Sequence, residues 1–173
     1  MCDSFQFVKE SGTIEPMSRS NDVRILDPDR LLCEWRWLCP QSVTIVDRNP
    51  YGDLFLRDQS GSVHMLDVGS GELTLVAGSV SEFDVLSALP EKREEWFAEA
   101  DAKDAAKRGL VPDPKQCIAF DIPLAFAESA NASPYIADIY DQLGFLGDLH
   151  RQLATLPDGS KVELVIKPKK NSL

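Results

Sequence analysis

Tyr51-Gly52-Asp53-Leu54-Phe55-Leu56-Arg57-Asp58-Gln59-Ser60-Gly61-Ser62-Val63-His64-Met65-Leu66-Asp67-Val68-Gly69-Ser70-Gly71-Glu72-Leu73-Thr74-Leu75-Val76-Ala77 is the stretch whose reading decides the fold. Short apolar runs in it are separated by glycine-bearing gaps. Residues 53–57, 62–68 and 72–77 read as strands. The loops Asp58-Gln59-Ser60-Gly61 and Gly69-Ser70-Gly71 are of hairpin length and composition. Just upstream, Val43 to Val46 is a further apolar run and Asn49-Pro50-Tyr51-Gly52 a turn. Together these form an antiparallel meander.

Outward from the meander the pattern becomes helical. On the N-terminal side, Asp27-Pro28 is a helix-entry signal with proline in the first turn. It predicts a helix over 29–38 that buries Leu31, Leu32, Trp35 and Leu38 and stops at Pro40. Trp35 and Trp37 are two residues apart, so one faces the core and the other is partly exposed. Residues 1–22 read as a loosely held polar segment. On the C-terminal side, Ser79-Val80-Ser81-Glu82 fits a capping box and opens a helix to about Ala88. Pro90 opens a longer helix, acidic in its first turn and basic at Lys107-Arg108, which suits the helix dipole. Gly109 is its expected C-terminal cap.

Residues 117–124 and 135–140 read as strands around a polar loop. Leu146, Leu149, Leu153 and Leu156 mark a helix over 143–156. Val162, Leu164 and Ile166 alternate as a last strand. The reading is an α+β fold, a mostly antiparallel sheet with helices packed on one face. Residues 1–34 form an N-terminal segment, 35–166 the main domain and 167–173 a basic tail.

The chain has 173 residues, 43% apolar and 27% charged, which suits one globular domain that needs no disulfide or metal to hold it. No run approaches the roughly 18–20 apolar residues of a membrane span. Met1-Cys2-Asp3-Ser4 does not begin a signal peptide, so a cytoplasmic location is expected. Cys2, Cys33, Cys39 and Cys117 form no CxxC pair, and His64 and His150 lie far apart. Reduced structural thiols are expected, and no metal site.

The net charge of −10 is concentrated. Residues 47–84 hold seven acids against two bases, and residues 113–148 six acids against one. Such a surface repels phosphate backbones and suits a basic partner. No phosphate-binding glycine loop, zinc-protease motif or nucleophile elbow is present. The acids gather into no catalytic pair on one element, since Asp53, Asp58 and Asp67 lie at hairpin ends where aspartate is a common turn residue. No enzymatic activity and no cofactor are expected.

Several segments in order carry a family resemblance: residues 51–56, the strand 61–67 ending Leu66-Asp67, Gly71-Glu72-Leu73, Ser81-Glu82-Phe83 and Glu95-Trp96-Phe97. They are followed by Gln116-Cys117-Ile118-Ala119-Phe120-Asp121-Ile122-Pro123, Gly147-Asp148-Leu149-His150-Arg151-Gln152 and Leu156-Pro157-Asp158-Gly159. Over roughly 35–166 the chain resembles the C-terminal domain of type VI secretion immunity proteins of the DNase-effector class, a domain often preceded by a GAD-like domain. Trp35-Arg36-Trp37-Leu38 is similar to the end of that preceding domain. Leu124-Ala125-Phe126 stands where the family has a Leu-Gly-Gly turn.

The resemblance implies a cytoplasmic protein that neutralises a toxin, typically a nuclease, as a stoichiometric inhibitor. Independently, a nuclease presents positive charge to hold its substrate, so an acidic inhibitor gains from its own charge. The charge windows and loop positions nominate Asp47, Asp53, Asp58 and Glu72 around the meander, and Glu128, Asp138 and Asp141 around the polar loop. Tyr51 and Tyr135 are added because interface hot spots are often aromatic. The alternative is a non-catalytic regulatory or scaffolding module similar to cell-wall-regulator-like proteins.

Overall fold

The computed structural model describes residues 21–157 and 159–165. Its strands are β1 (Thr44–Arg48), β2 (Leu54–Arg57), β3 (Val63–Asp67), β4 (Glu72–Ala77), β5 (Gln116–Phe120) and β6 (Pro134–Asp138). Its helices are α1 (Pro28–Leu31), α2 (Val80–Leu86), α3 (Pro90–Phe97), α4 (Glu99–Lys107) and α5 (Ile139–Leu153). Strands β1–β4 form an antiparallel meander in sequential order, and β5 and β6 pair as a separate two-stranded antiparallel sheet. The α+β class and the meander are as the sequence predicts.

The layering differs from the expectation of helices on one face. In β2, Leu54, Phe55 and Leu56 are all fully buried. Successive side chains of a strand point to opposite faces, so this sheet is covered on both. Leu54, Leu56 and Leu66 pack with Leu31, Leu32, Trp35 and the α5 residues Leu143, Leu146 and Leu149. Phe55 and Val63 pack with Phe83 of α2 and Trp96 of α3. Each fully buried leucine or phenylalanine contributes about 1.5–3 kcal/mol of transfer free energy, so both faces are structural.

The predicted helix over 29–38 is α1 followed by a 3-10 turn at Cys33–Trp35. Asp27 caps α1, accepting from the backbone N–H groups of Asp29 and Arg30. Trp35 is fully buried and donates its Nε1–H to the Leu143 carbonyl at 2.9 Å, while Trp37 is exposed. Leu31, Leu32 and Trp35 share one core with β2 and α5, so no boundary between cores falls at residue 34. Gly147 of α5 makes this contact close, since a methyl there would meet the Glu34 backbone at 2.9 Å.

In the capping box of α2, Ser79 accepts from the Glu82 N–H at 3.1 Å. The Glu82 carboxylate takes the Gly78 N–H rather than that of Ser79. The single long helix expected after Pro90 is broken at Ala98, which has φ 46° and ψ 51°. Trp96 and Phe97 both reach the Phe55 ring, at centroid distances of 5.8 and 5.1 Å.

Two further expectations are corrected. Helix α5 begins at Ile139, four residues before the predicted start, because Asp138 acts as its N-cap and accepts from the Tyr140 and Asp141 N–H groups. Residues 161–165, predicted as part of a strand, have no strand partner among the described residues and are exposed. Ile166, the basic tail, Asp158, Cys2 and most of the predicted loose segment 1–22 lie outside the described residues.

Candidate functional site

A cleft of about 290 Å³ opens where the 49–53 turn, the β3–β4 turn, the break between α3 and α4, and β5 meet. Its assembly begins at Asn49, a buried residue whose hydrogen-bonding groups are all used. Its Oδ1 accepts from the N–H groups of Tyr51 and Asp53, which closes the turn. Its Nδ2 donates to Asp53 at 2.6 Å and to the Trp96 carbonyl at 3.1 Å, which ties the turn to the end of α3. Gly52, at φ 99°, lies against Cys117 of β5 and Leu143 of α5. The Ile118 N–H donates to the Pro50 carbonyl at 2.8 Å, and Arg48 donates to the Gln116 carbonyl at 3.0 Å. The small sheet is thereby seamed to the large one.

Four carboxylates line the cleft, those of Asp53, Asp67, Glu95 and Asp101, and among the described residues no lysine, arginine or histidine does. Tyr51 stacks on Phe120 at one side, with centroids 6.0 Å apart and planes within 5°. Val68, Ile118 and Leu146 supply an apolar lining. Asp53 is the innermost acid. Burial first, and the neighbouring Asp67 second, push its carboxyl up to about 6, against hydrogen bonds from the Val68 N–H and Asn49. Burial and the charge of Asp101 also raise the Tyr51 hydroxyl, against the opposing charge of Arg108. Glu95 is paired with Lys92 on its own helix at 2.6 Å.

Asp53 and Asp67 are half-buried while Glu95 and Asp101 are exposed at the mouth, so a cation carrying an apolar stem would meet Coulombic attraction throughout and burial only at the inner end. Among the described residues no group of three or more His, Cys, Asp or Glu is arranged to hold a metal ion.

Of the residues nominated from sequence, the structure brings Tyr51 and Asp53 into the cleft. Asp47 is buried in β1, where it accepts from the Arg48 N–H, so it is not available to a partner. Asp58 organises the β2–β3 hairpin instead. It accepts from Ser60, the Ser62 N–H and His64, and these bonds, led by that from Ser60, hold its carboxyl down at about 2. Glu72 is exposed at the start of β4, Glu128 in a 3-10 turn, Tyr135 on β6, and Asp138 and Asp141 at the start of α5. These five lie outside the cleft.

Asp67, Glu95 and Asp101 were missed. Glu95 and Asp101 converge only because the backbone reverses hand at Ala98, and alanine, the best helix former, gives no sign of that. The signal for Asp67 was its place at a hairpin end beside Gly69, where its Oδ1 accepts from the Gly69 and Ser70 N–H groups.

The described thiols are free. Burial pushes Cys39 up to about 11 and Cys117 up to about 12, so both stay protonated and unreactive. No described helix is long and apolar enough to cross a membrane. Comparison of the chain with protein-family models, with curated proteins and with solved structures returned no match.

Proposed function

We propose that this chain is an immunity protein that binds a basic toxin, of the nuclease type, one to one in the cytoplasm and seats a cationic side chain of it in the acidic cleft. The observation that carries this reading is the lining of the cleft: four carboxylates, of which Glu95 is paired with Lys92, stacked aromatic rings, and no lysine, arginine or histidine among the described lining residues. A guanidinium or ammonium reaching its inner end meets Asp53 and Asp67, which the fold has already part-desolvated. The net charge of −10 would speed the encounter with a basic surface. The resemblance of residues 35–166 to type VI secretion immunity domains supports the same reading.

The test is a binding assay between this protein and the product of the adjacent gene, if that product is a basic, nuclease-like protein, followed by toxicity rescue in cells. Tight one-to-one binding with rescue is the expected result. Absence of both would move the assignment to a regulatory or scaffolding module.

A further inference from the structure

Two elements of the chain have no strand partner among the described residues, and their patterns match. The first is the outer edge of β4. The sheet order β1-β2-β3-β4 leaves β4 bonded on one side only. Among the described residues no backbone group of β4 bonds outside its ladder with β3. An edge strand directs alternate N–H and C=O groups outward, where they can pair with a further strand. Folds blunt such edges with lysine or proline, and Glu72-Leu73-Thr74-Leu75-Val76-Ala77 holds neither. The register shift beside Val76 leaves residues 72–75 in regular pairing with β3. Leu73 lies opposite Leu66 and packs on the core under α5, while Leu75, on the same face, is 61% exposed.

The second element is residues 161–165, which are exposed throughout. Set alongside β4 in the same direction, Lys161-Val162-Glu163-Leu164-Val165 falls beside Glu72-Leu73-Thr74-Leu75-Val76. Lys161 then neighbours Glu72. Val162 and Leu164 neighbour Leu73 and Leu75 on one face, and Val165 neighbours Val76 on the other.

We propose that two copies of this chain exchange residues 161–165, each laying them as a fifth, parallel strand on the β4 edge of the other. One chain by itself leaves both elements open. Edge and strand belong to the same chain, so the exchange is reciprocal and closes about a two-fold axis. The segment also leaves the fold near that edge. Gly71, just before β4, lies over the ring of His150 of α5, where an added methyl would come within 2.4 Å of Nδ1. Leu153, at the end of α5, packs on the same core as Leu73. Residues 154–160 span at most about 25 Å, enough to cross to an edge brought alongside. The charge of −10 on each chain opposes the meeting of two copies, so this pairing tightens as salt rises, the reverse of attraction to a basic partner. The exchange stands whether or not the cleft binds a toxin.

The experiment measures the mass of the intact protein by sedimentation from micromolar to millimolar concentration, with amide exchange at both ends of the range. The expected result is a concentration-dependent passage from one chain to two, favoured by salt, in which residues 72–76 and 161–165 gain protection together. Leu75 and Leu164 are both exposed in the single chain, so Leu75→Lys and Leu164→Lys do not disturb its core. Each should weaken the dimer on the order of tenfold. An equal mixture of the two variants should recover part of it, because one retains the strand and the other the edge. A protein that stays a single chain throughout, with both segments unprotected, would overturn the proposal. Protection of both segments in the single chain would overturn it too, since the strand would then lie on its own sheet. A dimer indifferent to Leu164→Lys would also overturn it, since β4 would then pair with β4.

Discussion

Replacing Gly71 with alanine tests how tightly the β3–β4 turn is seated on α5. Gly71 has φ +74°, a conformation that costs an L-residue about 1–2 kcal/mol. The new methyl would also lie 2.4 Å from the ring of a buried histidine that is pinned by Val68 and Trp35, an overpacking that costs about 1–3 kcal/mol. Stiffening of the unfolded chain returns about 0.5–1 kcal/mol. The expected net loss is about 1–4 kcal/mol, read from urea unfolding at pH 7.5.

Gly61 provides the control. It has φ +92° and nothing within 4 Å of an added methyl, so Gly61→Ala carries the backbone cost alone. The difference between the two variants is therefore the His150 contact. In a Gly71→Ala, His150→Ala pair, the combined loss should fall short of the sum of the single losses, because truncating the ring makes room for the methyl. Gly71→Ala no more destabilising than Gly61→Ala would refute the packing of the turn on His150.

Other consequences can be checked singly. Gly147→Ala should cost about 1–3 kcal/mol, because its methyl meets the Glu34 backbone at 2.9 Å and backbone yields less than a side-chain end; wild-type stability would contradict that close approach. Trp35→Phe removes the Nε1–H bond to Leu143 at 2.9 Å and part of a fully buried ring, a loss on the order of 2 kcal/mol in thermal or urea unfolding. The Asp53 carboxyl should titrate near 6 by carbon NMR, well above Asp58 near 2. Because the folded value of Asp53 is raised above the ordinary 3.8, its contribution to stability is fully present below pH 3.8 and is lost as pH rises through 6. An Asp53 midpoint near 4 would show the carboxylate open to solvent.

The meander was legible because its strands are short, its turns carry glycine at positive φ and its apolar residues fall where the pleat needs them, as at Gly61 and Gly71. Helix entry was legible wherever a capping side chain marks it, as at Asp27 and Ser79. Asp138 capped α5 equally well, but the alternation from Tyr135 to Tyr140 masked it as strand. The second helical layer hid in plain view. Leu54-Phe55-Leu56 has no polar residue to alternate with, and that pattern means burial on both faces. The cleft was less legible than the fold. It depends on a left-handed alanine, on four hydrogen bonds of one buried asparagine, and on a seam between two sheets. Each is a tertiary outcome without a local motif, whereas the charge windows selected Asp53 of the cleft together with six acids that lie outside it.

The central claim is that the acidic cleft, rather than the acidic surface at large, receives the partner. The most direct measurement compares toxin binding and toxicity rescue for Glu95→Lys with Asp101→Lys in the cleft against Glu128→Lys with Asp141→Lys outside it. The two double variants change net charge equally, so long-range attraction falls alike in both. The cleft pair should weaken binding by on the order of 100-fold more than the outer pair and abolish rescue. Equal weakening by the two pairs, or binding that survives the cleft pair, would contradict it.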